Sequence, residues 1–330
     1  MTAPLDVSGA SAQVPPEPTL SGADRAVQGR SLTRIAWMRL RRDKIALAGG
    51  ITVLLLILMA IFATPIINLF GQDPLEFNQD AIDPNTLLPL GAYGGMGAEH
   101  LLGVEPVNGR DIFSRIVAGA GISLLIGFLA TIVSVLIGTV MGVVAGYFGG
   151  WVDQIIGRIM DVFLAFPLLV FAIALVGVMP NEGFGLEGNG LRIAMLIFII
   201  GFFSWPSIGR IVRGQTLSLR EREFVDAARS LGARNGYILF REILPNLMAP
   251  ILVYATLLIP ANILFEAALS FLGVGINPPT PTWGGMLSEA VRFYTLPHFV
   301  IFPGLAIFIT VLAFNLFGDG LRDAFDPRAH

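Results

Sequence analysis

Few residues in this chain are of types that carry out covalent chemistry, and none stands in a spacing that would let it. There is no cysteine, so neither a disulfide framework nor a cysteine-ligated metal is available. A phosphate-cradling loop ends in Gly-Lys-Ser/Thr, whereas Lys44, the single lysine, is followed by Ile45. His100, His298 and His330 form no HExxH pair, and no GxSxG elbow presents a nucleophilic serine. The expectation is a chain that is not an enzyme, with no catalytic residue, no metal and no cofactor of its own. Two acids remain to be placed. Asp161 follows Arg158 by three residues, which on a helix makes either an interfacial ion pair or a pair used in transport. Glu266 stands in the apolar run Phe265–Leu269. An acid at membrane depth costs roughly 2.5–3.5 kcal/mol at the centre and less near an interface. It is read either as a gating or subunit-contact residue or as a snorkelling or locally paired carboxylate.

The elements that hold these residues are membrane spans. Of 330 residues 54% are hydrophobic and 14% charged, against about 25% charged in a soluble domain. The apolar residues come in blocks, Ile45–Gln72, Ile116–Val152, Val162–Asn181, Ile193–Gly209, Ile243–Phe265 and Phe293–Gly318, mostly long enough for the ~20 residues a crossing needs. The fold class expected is all-α integral membrane with six transmembrane helices. Met1–Arg30 lacks the apolar core of a signal peptide, and its Pro, Ser, Ala and Gly content reads as a disordered cytoplasmic tail, 1–30. Residues 31–44 set Leu32, Ile35, Trp37 and Leu40 among Arg34, Arg39, Arg41 and Arg42. That is either an interfacial helix with Trp and Leu in the lipid or a plain positive-inside signal. Residues 45–330 then form the six-span domain.

Basic residues set the orientation. With the N-terminus inside, 17 of the 21 Lys and Arg fall on the cytoplasmic side, leaving Arg110, Arg115, Arg192 and Arg292 outside; the opposite orientation inverts the ratio, so N-in/C-in is expected. The loop 71–115 carries seven Asp or Glu and suits the external face. The net charge of −3 is nearly neutral and argues for no polyanionic partner, so no nucleic acid is expected; the apolar blocks make the lipid bilayer the partner. Within the spans, Ser134, Gly138, Gly142, Gly146 and Gly150 place a small residue at every fourth position, a face that admits a close helix neighbour. Pro65, Pro167, Pro206, Pro250 and Pro260 lie in or near spans and predict kinks.

The longest cytoplasmic stretch, 210–245, repeats Phe224, Ala227, Ala228 and Leu231 at i, i+3, i+4 and i+7, the stripe of an amphipathic helix. Gly232 follows where a helix ends in a left-handed residue, and a second short helix is expected over Asn235–Glu242 before Leu244–Pro245 leads into the fifth span. An isolated helix of this length is marginal in water, so its apolar face rests on the same protein or on a soluble partner.

Here the residues resemble a known family. Asp226–Ala227–Ala228–Arg229–Ser230–Leu231–Gly232, followed by Leu244–Pro245, resembles the EAA motif of ABC transporter permeases, with Asp226 where Glu is usual and Glu242 where an apolar residue is common. His100–Leu101–Leu102–Gly103, Gly109–Arg110–Asp111, Ser114–Arg115 and Gly146–Asp153 are similar to the C-type permease of dipeptide and oligopeptide importers. So are Phe271–Pro281, Trp283–Gly284, Phe302–Pro303–Gly304, Asn315 and Gly318–Asp323. The likeness runs from about Arg41 to Arg328. Gly121 replaces an arginine often found there and Val104–Glu105 a common Thr-Asp pair, departures expected to touch only contact with a binding protein.

The resemblance implies the type I ABC importer fold and a cell inner membrane subunit of a peptide importer. Its implied partners are a second homologous permease subunit, two ABC ATPase subunits that carry ATP and Mg, and an extracytoplasmic solute-binding protein. Asp226, Ala227, Ala228, Gly232, Leu244 and Pro245 would form the coupling helices that meet the ATPase. Nickel chelates, glutathione and oligosaccharides are alternative substrates of the same machinery. A secondary transporter would need paired inverted repeats and midplane acids or cation sites; no such repeat is visible, and Glu266 is the single deep acid.

Overall fold

The computed structural model describes residues 32–178, 180, 182–183 and 185–325; the tail expected over 1–30 lies outside them. The described residues are mostly helical; the main exceptions are an external segment, the stretch 272–282, and a short hairpin in which Glu182–Gly183 pairs antiparallel with Leu186–Glu187. In chain order the helices are α1 (Leu32–Leu40), α2 (Lys44–Ile61), α3 (Ala63–Phe70), α4 (Ile112–Phe148), α5 (Gly150–Ala165), α6 (Leu168–Gly177) and α7 (Gly188–Arg220). They continue as α8 (Glu223–Ser230), α9 (Asn235–Tyr237), α10 (Leu244–Phe271), α11 (Trp283–Ala290) and α12 (Pro297–Phe325). Five runs are long and apolar enough to cross a membrane: α2, α4, α7, the continuous run Asn235–Phe271, and α12. The bent pair α5 and α6 makes the sixth.

That third crossing corrects the expected block Val162–Asn181. It starts at Gly150 and is bent by 77° between α5 and α6. Pro167 has no N–H to donate and crowds the residue before it; Phe166 accordingly takes an extended conformation, φ −77° and ψ 132°. The first crossing breaks at Phe62, but Pro65 stands in the first turn of α3, where no helical donor is lost.

The tightest packing joins α4 to α7. Ser134 donates to Gly201 O at 2.9 Å. A Cβ on Gly138 would lie 2.7 Å from Trp205 O, on Gly142 2.6 Å from Gly209 O, and on Gly146 2.8 Å from Arg213 O. The sequence separation is the same at each rung, so the helices run parallel and in register. The ladder stops at Gly146, because Gly150 has open space around it and φ of +54°; the expected fifth rung belongs to the turn into α5. At 37 residues, α4 is about 55 Å long at 1.5 Å per residue, and it begins under a cap in which Ser114 N donates to Asp111. The external segment therefore ends at Asp111, and Arg115 sits in the first turn of α4 rather than in the loop.

At the inner end, Ala36 and Leu40 of α1 pack against Phe317, Leu321 and Ala324 of α12. Leu40 thus faces protein, not lipid, while Trp37 points outward beneath the Arg41 guanidinium, 5.2 Å from its ring centre.

Candidate functional site: the cytoplasmic loop and two buried polar clusters

The cytoplasmic loop is shorter than its sequence suggested, because residues 210–220 continue α7 as helix. Helix α8 ends in a Schellman motif: Ala233 N donates to Ala228 O at 3.0 Å and Gly232 N to Arg229 O at 2.9 Å. Gly232 has φ of +79° with no atom within 4 Å of where a Cβ would sit, so the glycine is required by conformation rather than by space.

The loop is anchored by a few side chains. Val225, Ile238, Ile243 and Leu247 are buried with Val143 and Tyr147 of α4 and Val212 of α7. Tyr147 Oη donates to Asn235 Oδ1 at 2.9 Å, and Arg220 donates to the Gly146 and Tyr147 carbonyls at the end of α4. Most of the expected stripe faces the other way, although Ala228 is half-buried against this cluster. Phe224, Ala227, Ala228 and Leu231 line an open cleft of about 590 Å³ with Gly232, Tyr237 and Glu242. Leu231 is 88% exposed, Phe240 71% and Tyr237 52%. Apolar side chains this exposed, on an anchored scaffold, have the character of a docking surface.

Not every expected residue joins that cleft. Asp226 lies outside its lining and pairs with Arg229 at 3.4 Å. Leu244 and Pro245 also lie outside it, at the start of α10. The second short helix runs on into the span as one continuous run, Asn235–Phe271. Residues 238–243 form a π-turn within it, with Leu244 N donating to Leu239 O five residues back, just before Pro245, which has no N–H to offer.

Deeper in the membrane, Glu266 has no exposed surface, so its side chain does not snorkel. Ser270 Oγ donates to Glu266 Oε1 at 2.7 Å, the local pairing that was its alternative. Nearby, Asn262 Nδ2 donates to Thr131 Oγ1 at 2.9 Å, so α10 and α4 share a buried polar seam. Asp161 is ion-paired with Arg210 of α7 and lies 4.0 Å from Arg158. Beside it Asp153 accepts from Arg213, and the two pairs line a cleft of about 440 Å³ between α5 and α7. The ion-pair reading of Asp161 fits, with Arg210 as the closer partner.

The external side holds a cluster that sequence reasoning left scattered. Glu105 pairs with Arg110, and with Arg115 at 3.2 Å; Glu289 of α11 lies 3.3 Å from Arg110 and 3.2 Å from Arg115. Glu105 is 1% exposed. Burial pushes its carboxyl above the ordinary range, against the pull of Arg115 and Arg110. The Val104–Glu105 departure therefore acts inside the protein, not on external contact alone. The Gly-Arg-Asp and Ser-Arg spacing placed both arginines near one another, but nothing local announced Glu289, 174 residues from Arg115.

Known proteins agree with this architecture. Residues 138–330 match the binding-protein-dependent transport system inner membrane component family, and residues 31–89 match the N-terminal TM domain of oligopeptide transport permease C. The chain is 44% identical over 293 residues to the glutathione transport system permease protein GsiD of Escherichia coli O6:K15:H31 (strain 536 / UPEC), covering 88% of this chain and 89% of that protein. The GsiD of Shigella boydii serotype 4 (strain Sb227) matches to the same extent. Among solved structures, a chain of the inward facing MetNI methionine ABC transporter superposes with a TM-score of 0.51 at 19% identity, covering 64% of this chain and 96% of that one. This chain belongs to the family of binding-protein-dependent transport system inner membrane components: it is a multi-pass inner-membrane permease subunit of an ABC importer, built on the type I fold.

Proposed function

We propose that the chain forms half of the translocation pathway of an importer of small peptides, beside a second, similar permease, two ATPase subunits and a solute-binding protein. The observation that carries this reading is the anchored cytoplasmic loop with Leu231 and Tyr237 turned outward at an open cleft. On this reading Asp226, Ala227, Ala228 and Gly232 meet the ATPase. Leu244 and Pro245 stiffen the passage from the loop into α10, so that closure of the ATPases on ATP moves the spans. Glu266 serves as a gating residue through its seat between α10 and α4. The relatives at 44% identity are named for glutathione transport; glutathione is itself a small peptide, and it stands within the proposed substrate class. Residues 31–44 act as an interfacial helix, with N- and C-termini on the cytoplasmic side.

The test uses the left-handed residue. Gly232→Val is expected to insert normally and to abolish ATP-dependent uptake of peptide into proteoliposomes, because a β-branched residue resists a positive φ. Gly232→Asn, which tolerates that conformation, should retain most of the rate. Normal uptake by the valine variant would sink the coupling role.

A further inference from the structure

At the external end, a cleft of about 250 Å³ opens between the last turn of α10, the segment 273–282 and α11. Its walls are firmly held: Trp283 Nε1 donates to Ile116 O at 3.0 Å, and Asn189 Nδ2 donates to Asn277 O at 2.9 Å. Arg115, Glu289 and Arg292 line it together with Ser270, Asn277 and Thr280.

Two observations favour an anionic guest in this cleft. First, Arg115 is ion-paired through Nε with Glu105 and through Nη2 with Glu289, but only Nη2 makes a hydrogen bond; Nε and Nη1, like Glu105 Oε2, are buried without a hydrogen-bond partner among the described residues, and Nη1 has no ion-pair partner either. The whole side chain is only 2% exposed, and leaving a charged donor so placed is costly. Second, the charges do not balance. Arg110, Arg115 and Arg292 stand against Glu105 and Glu289, and Arg292 makes no ion pair among the described residues. With both glutamates ionised, one negative charge closes the deficit. A phosphate dianion would overshoot it and meet Glu289, and a cation would worsen it. A carboxylate also suits the planar fork of a guanidinium.

We propose that this cleft is a carboxylate subsite at the external mouth, which takes the carboxyl terminus of a small peptide before it enters the membrane domain. The proposal rests on the peptide-importer reading above. Arg292 offers the exposed arm, Arg115 the buried one, and Asn277 and Thr280 provide neutral hydrogen-bonding groups at the rim.

The experiment is equilibrium dialysis of radiolabelled glycylglycine against the assembled importer, without its binding protein, in lipid nanodiscs. Sodium acetate and glycinamide serve as competitors. Acetate should displace the label and glycinamide should not, and Arg292→Gln, an exposed substitution that spares the fold, should weaken binding about 10-fold or more. Absence of saturable binding, equal binding by Arg292→Gln, or displacement by glycinamide as well as by acetate would overturn the subsite. ATP-dependent glycylglycine uptake by the wild type, measured in parallel, separates the two ideas. Uptake without saturable binding removes the subsite alone. Acetate-sensitive binding without uptake supports the subsite and overturns the peptide reading.

Discussion

At the residue scale, Glu105 shows how a buried charge can be both costly and needed. Its carboxyl sits between two guanidiniums, yet burial pushes it toward the neutral form. Truncation by Glu105→Ala leaves Arg110 and Arg115 with only Glu289, and should cost about 3–5 kcal/mol, read as a large fall in thermal midpoint in detergent. The neutral isostere Glu105→Gln should cost clearly less. A carboxyl raised in the fold contributes stability that is present below its unfolded value and lost as the pH rises through its folded one. The wild type should therefore lose stability as the pH climbs above the ordinary 4.5, and Glu105→Gln should flatten that loss. A glutamine variant as damaged as the alanine one would show that pairing, not burial, dominates. Glu266 teaches a related lesson about reading sequence. Its depth was visible from the apolar run around it, but whether it faced lipid, a partner or its own helix was not. Ser270 lies one turn away and would have been a fair guess; the packing of α4 against α10 had no local signature.

At the scale of elements, the sequence revealed half of the main helix contact. The small residues of α4 repeat every fourth position and announce a close approach. Their neighbours on α7 are the carbonyl oxygens of Trp205, Gly209 and Arg213, which every residue type carries, and the β-branched side chains of Ile208, Val212 and Thr216, which are common in any span, so the partner helix left little mark. A bulky side chain here meets backbone. Gly142→Leu should destabilise by more than the usual 1–3 kcal/mol of an overpacked core, whereas Gly157→Ala, with nothing within 4 Å, should be neutral or slightly stabilising. Comparing their thermal midpoints and yields checks the contact; equal effects would mean that α4 and α7 are not in this register. Span number was legible because the apolar blocks are long. Their edges were not, since helices α4, α7 and α12 extend well beyond the hydrocarbon into polar residues. The break at Pro167 was legible only as a kink, because a proline says where a helix fails and not how far the chain then turns.

At the scale of the whole molecule, orientation is the strongest inference that composition alone supports, and it fixes which face meets ATPase and which meets solute. The absence of cysteine makes it directly measurable. A membrane-impermeant maleimide should label Asn85→Cys in intact spheroplasts, and Leu231→Cys only after permeabilisation. The reverse pattern would turn the molecule over and void the coupling surface. The loop was found by its helix–glycine–helix pattern, but its outward stripe needed coordinates. Periodicity identifies a face without saying whether it is covered.

Unlike α7, α10 and α12, helix α4 contains no proline. Its first turn carries Arg115 of the external charge cluster, and its last carries Tyr147, tied to Asn235 of the cytoplasmic loop. Such a helix has no proline hinge between its ends, so one continuous hydrogen-bonded element joins the external charge cluster to the cytoplasmic loop.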